Sequence, residues 1–120
     1  MKHTPKLIEL QYQSRFDHYI VRLGIGDAAR LNQLFRGLRA KNRPNMFFTH
    51  EGAGAYIYFP EWKGDAECLA QFSEYLVKVS FDRFEHKGVL KRHSFNNELI
   101  AYSVEELATG LLEKMVEASR

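Results

Sequence analysis

Near the start of the chain Ile8, Leu10 and Tyr12 alternate with Leu7, Glu9 and Gln11, a period of two that predicts a strand. Gln13-Ser14-Arg15 turns the chain. A second strand is predicted over 16–23, with Tyr19, Val21 and Leu23 facing the core because that set carries no charge. Gly24-Ile25-Gly26-Asp27 then breaks the alternation, and Asp27 is a suitable N-cap. Ala28, Leu31, Leu34, Phe35 and Leu38 recur at helical spacing, and this helix ends near Asn42 because Pro44 holds Arg43 out of helical geometry.

Residues 46–50 and 55–59 read as two short strands, with Gly52-Ala53-Gly54 between them making a hairpin. Asp65 caps a second helix whose apolar stripe is Cys68, Leu69, Phe72, Tyr75, Leu76 and Val79. The run Val77-Lys78-Val79-Ser80-Phe81 also alternates like a strand, but the helical pattern has more matches and predicts helix to about Phe84. A basic segment, 87–93, contains Gly88 as a helix stop, and 98–102 reads as a short apolar strand. Ser103 with Glu106 three residues later has the capping-box pattern, opening a last helix through Leu107, Leu111, Leu112 and Met115.

From 16 to 102 the predicted order is strand, helix, strand, strand, helix, strand. This is an α+β chain in the ferredoxin-like split βαβ order (βαββαβ), with an extra N-terminal strand and a C-terminal helix. No repeat, low-complexity run or linker divides it, so one domain over 1–120 is expected. With 120 residues, 45% hydrophobic and 27% charged, a core forms without staples and disorder is disfavoured. The single cysteine, Cys68, lies on the apolar stripe and reads as core; the absence of an internal disulfide points to a reducing, cytoplasmic location. No stretch has the length of a membrane span.

If Tyr19, Val21, Leu23, Ile57 and Phe59 face the helices, the other sheet face carries Phe16, His18, Ile20, Tyr56 and Tyr58, joined by Phe47 or Phe48. So aromatic a face is expected to be covered, by the last helix, by a second copy in a homodimer, or by another partner. The net charge of +2 by itself implies no nucleic acid. Locally, however, Arg36, Arg39 and Arg43 share a helical stripe, and Lys87, Lys91 and Arg92 form a second basic patch able to meet phosphates. His18 to Leu23 and Ala55 to Phe59 each look similar to part of the strand signatures of the RNA-recognition motif. That resemblance stops at Ala53-Gly54, and exposing Tyr19 would turn His18 and Arg22 into the core, so no RNA-binding residue is carried over.

Catalytic signals are weak. The histidines His3, His18, His50, His86 and His93 show no metal-ligand spacing, and His50-Glu51 is an isolated pair at a turn. Gly24-Ile25-Gly26-Asp27-Ala28-Ala29 fits a variant dinucleotide fingerprint, but Asp27 would repel a pyrophosphate and a turn with a helix cap accounts for it. The sequence therefore points to a small cofactor-free binding or regulatory protein acting through protein–protein contacts, with itself or another chain. A nucleic-acid-binding module is the alternative, and an enzyme or binder of a small phosphorylated ligand the third.

Overall fold

The computed structural model describes residues 6–27, 29, 45–85 and 95–119. Among these residues it is α+β, with a four-stranded mixed sheet and two long helices. The elements are β1 (Leu7–Gln13), β2 (Ile20–Gly26), β3 (Met46–His50), β4 (Gly54–Phe59), α1 (Ala66–Glu85) and α2 (Phe95–Ala118). Strand order is β1-β2-β4-β3. β2 pairs with β1 antiparallel and with β4 parallel, and β3 pairs with β4 antiparallel. The helix predicted to begin at Asp27 lies outside the described residues apart from Ala29, which is helical. The basic segment 87–93 also lies outside them.

Register explains the two faces. Leu10 pairs with Leu23, and Leu23 with Ile57, so these side chains share the face covered by the helices. Val21, Leu23 and Ile57 are fully buried there against Phe72, Leu76 and Val79 of α1 and Leu107 and Leu111 of α2. Burying a side chain of this size stabilises the fold by about 1.5–3 kcal/mol. Asp65 caps α1 as expected, its Oδ1 accepting from the Cys68 amide at 2.8 Å. Cys68 is half-buried and packs against this core.

Three sequence expectations are corrected. The strand expected at 98–102 is the first part of α2. A five-residue apolar run fits either period, and here Ile100, Ser103, Leu107 and Leu111, all buried, form one helical stripe. With that strand absent, the sheet order differs from the ferredoxin-like one. β2 begins at Ile20 and not at 16, because 15–17 form a turn closed by the Ser14 amide donating to the Tyr19 carbonyl at 2.8 Å. Gly24 to Gly26 continue the strand instead of ending it.

Candidate functional site

The expected partner surface is divided in the structure. Phe16 and His18 lie outside β2: Phe16 is 70% exposed in the turn, and His18 is exposed with a φ of 63°. Ile20, Tyr56 and Phe48 do share the second sheet face and line a cleft of about 470 Å³ with Arg22 and His50. Tyr56 and Tyr58, however, are 2% and 1% exposed. Tyr56 stacks on Phe48, with ring centroids 5.5 Å apart, and donates its hydroxyl to Glu9 at 2.9 Å. Its ring lies across Gly24, where any Cβ would overlap it. Tyr58 donates to the Gly26 carbonyl. Burial, reinforced by the Glu9 hydrogen bond, pushes the Tyr56 phenol well above its ordinary pKa. Both phenols are therefore fixtures of the sheet. Gly24 and Gly26, offered as a phosphate turn, are strand residues, and the Tyr56 ring occupies the space above Gly24.

A second cluster was not anticipated as such. Arg83, on the inner side of α1, is 2% exposed. Its Nε and Nη2 donate to the two Asp17 oxygens at 2.7 and 2.8 Å, Nη1 donates to Ser103 at 3.0 Å, and Nη2 donates to Ser14 at 2.7 Å. Glu106 completes the cluster: its Oε2 accepts from Tyr12 and Ser14, both at 2.7 Å, and its Oε1 stands 3.0 Å from Arg83 Nη2 as an ion pair outside hydrogen-bond geometry. Burial alone would raise the Glu106 carboxyl, but hydrogen bonds from Tyr12 and Ser14 and the adjacent Arg83 charge overcome it and hold the group below the ordinary carboxylate range. The Tyr12 phenol is pushed up to about 12, first by burial and then by Glu106. Next to Arg83, Asp82 accepts from the Tyr19 hydroxyl at 3.0 Å and the Gly52 amide at 3.2 Å. The cluster joins the β1–β2 turn to both helices. Arg83 directs its donors at protein atoms and is almost wholly buried, so the arrangement bolts the elements together, while Tyr12 and Glu106 also border a surface cleft of about 360 Å³ with Arg15 and Phe16.

The outer side of the helix pair is different. Asp82 and Arg83 near the end of α1 reach the Gly52 and Asp17 turns, and Tyr102 near the start of α2 meets Phe16, so the helices run antiparallel. On α1, Leu69, Val77 and Phe81, with Ser73 completing the i, i+4 row, are 42%, 38% and 45% exposed. On α2, Val104, Ala108, Leu112 and Val116 form an i, i+4 row, the first three packed against the core and the last 54% exposed. A cleft of about 490 Å³ runs between Val77 and Phe81 on one side and Ala101 and Val104 on the other, floored by Ile100. Farther along α2 a second cleft of about 500 Å³ is lined by Leu112 and Val116. Exposed apolar residues scattered singly need no explanation; here Val77 and Phe81 recur on one side of α1 beside the cleft.

Charge sets this layer apart. α1 and α2 carry nine acidic and three basic side chains, a net of −6, against +2 for the whole chain. Glu105 lines the first cleft and Glu113 and Glu117 the second. On α1, Glu74 is paired to Lys78 at 3.1 Å, both half-exposed, and Glu85 lies one turn beyond Phe81.

The candidate nucleic-acid contacts Arg36, Arg39, Arg43, Lys87, Lys91 and Arg92 lie outside the described residues. His50 is exposed at the end of β3, and among the described residues no three His, Cys, Asp or Glu side chains group to hold a metal ion. Among those residues, too, no helix is long and apolar enough to cross a membrane. No protein-family model, curated protein or solved structure matches the chain. The groove residues carried one legible signal: in 77–81, Val79 belongs to the core while Val77 and Phe81 belong to the outer row. What looks like strand alternation is a helix with two apolar faces.

Proposed function

We propose that this protein is a cofactor-free binding or regulatory protein acting through protein–protein contacts, and that the groove between α1 and α2 is its contact surface. The observation carrying this reading is the exposed apolar pair Val77 and Phe81, facing Ala101 and Val104 across an open cleft. Burial of Tyr56 and Tyr58 supports seeking that surface on the helices and not on the sheet. The test is partner capture from the source extract with the native chain and with Val77→Ser/Phe81→Ser. Both substitutions are at exposed positions, so the thermal midpoint is expected to stay within a few degrees. Loss of a captured protein from the variant supports the reading; its full retention refutes the groove.

One observation favours a second reading. Outside the two helices the sequence carries a net +8, including Arg36, Arg39, Arg43, Lys87, Lys91 and Arg92. Such a charge supports nucleic-acid binding by phosphate neutralisation. Titration of labelled single-stranded RNA and duplex DNA at about 50 and 200 mM salt tests it, and absence of binding at the lower salt removes it.

A further inference from the structure

We infer that the groove between α1 and α2 takes an amphipathic helix whose apolar face is flanked by lysine or arginine, an inference that rests on the protein-contact reading above. Three features select this occupant. The first is shape: the small Ala101 lines the cleft opposite Val77 and Phe81, so a third helix can approach closely there and seat its own ridge in the opening. The second is backbone chemistry. The groove lining is mostly side-chain carbon, with Val77, Phe81, Ile100 and Val104 around the first cleft, and offers no row of free amides and carbonyls. An extended peptide laid there would bury its own backbone groups unpaired, whereas a helix satisfies them internally.

The third feature is charge. Glu105 borders the first cleft and Glu113 the second, and Glu85 lies one turn beyond Phe81 on α1; the nearby cations Lys78 and Lys114 are paired with Glu74 and Glu117 and leave these three uncompensated by them. A second copy docking the same face by two-fold symmetry would set acidic rim against acidic rim. A basic-flanked helix sets opposite charges together, which favours encounter and fixes orientation. Glu106 contributes nothing to this rim, because Arg83, Tyr12 and Ser14 hold it inward.

The experiment uses three synthetic peptides of about twenty residues, long enough to span the helix pair. One has a Leu/Ala face with lysine flanks, one has the same face with glutamate flanks, and one has the lysine composition with two central prolines. Binding to the full chain is read by fluorescence anisotropy at about 50 and 200 mM salt, with sedimentation of the chain alone. The expected result is that the lysine peptide binds at least about tenfold more tightly than either control and weakens with salt. Phe81→Ser should weaken it about tenfold with the salt dependence kept, and Glu105→Lys should reduce the salt dependence. Equal affinity for lysine and glutamate peptides, both lost in Phe81→Ser, overturns the basic partner while the groove reading stands. Binding of the proline peptide as tightly as the helical one overturns the helix. A dimer of the chain that Phe81→Ser dissociates overturns the inference in favour of a second copy. Absence of binding by all three overturns it as well, and the capture experiment then judges the groove independently.

Discussion

Replacing Arg83 with methionine is the most demanding test of how this fold is held together. The substitution keeps much of the buried aliphatic length but removes the guanidinium from a site only 2% exposed. Asp17 and Glu106, with side chains 20% and 11% exposed, lose the cation that compensates them, and Ser14 and Ser103 each lose a charged donor. Breaking a buried ion pair from one side costs about 3–5 kcal/mol. A domain of 120 residues has a total stability of roughly 6–18 kcal/mol. Its unfolding entropy at the midpoint is roughly 250 cal/mol/K, so the midpoint should fall by about 12–20 °C. Thermal and urea unfolding of Arg83→Met against the native chain measure this.

The pH dependence gives the reasoning a sign. Glu106 is held below its ordinary range in the folded chain, so its contribution is fully present above about 4.3, the unfolded carboxyl value, and is lost as pH falls through the lower folded value. Without Arg83 the buried carboxyl protonates more readily. The gap between native and variant chains should therefore narrow between pH 7 and pH 3. Adding Asp17→Asn and Glu106→Gln to Arg83→Met should recover part of the loss at pH 7. A loss below about 1 kcal/mol at pH 7, or one unchanged at pH 3, would refute the bolt.

Two further outcomes follow from the same contacts. Gly110→Ala drives a Cβ into the Tyr12 ring, between α2 and β1, and should cost about 1–3 kcal/mol in urea unfolding, while Thr109→Ala on the exposed side should cost little. Because the Tyr12 phenol titrates at about 12 in the folded chain and about 10 when unfolded, stability should hold to about pH 9.5 and fall above pH 10; Tyr12→Phe should flatten part of that slope.

Much of the fold is legible in the residues. Alternation in Leu7 to Tyr12 predicts a strand there, and alternation in Tyr19 to Leu23 predicts the right core face, since Tyr19, Val21 and Leu23 are all buried. Gly52-Ala53-Gly54 marks the β3–β4 hairpin, and Asp65 marks the start of α1. The errors arise where one residue pattern serves two purposes. Ser103 and Glu106 match a capping box, but their side chains are spent on Arg83, so α2 starts before them and not at them. Nothing local distinguishes the two uses, because the partner lies twenty residues away on another helix. Phe16 and His18 continue the alternation of β2 on paper, yet Asp17 accepts from the Tyr19 amide and from Arg83, which bends the chain there. The aromatic sheet face was visible in Tyr56 and Tyr58, but its closure was not, because it depends on Glu9 and Gly24 from other strands. The helix groove was obscured for the opposite reason: Val77 and Phe81 were weighed for secondary structure and not for a second face.

Site-specific photo-crosslinking tests the contact surface most directly. A benzophenone amino acid replaces Phe81 in the groove, and in separate variants His50 beside the sheet-face cleft and Phe16 in the β1–β2 turn, all exposed side chains. Irradiation in the source extract should give one dominant protein adduct from position 81, suppressed by excess lysine-flanked helical peptide, and little from positions 50 or 16. An adduct that forms from position 50 or 16 and not from 81 would contradict the groove as the binding surface.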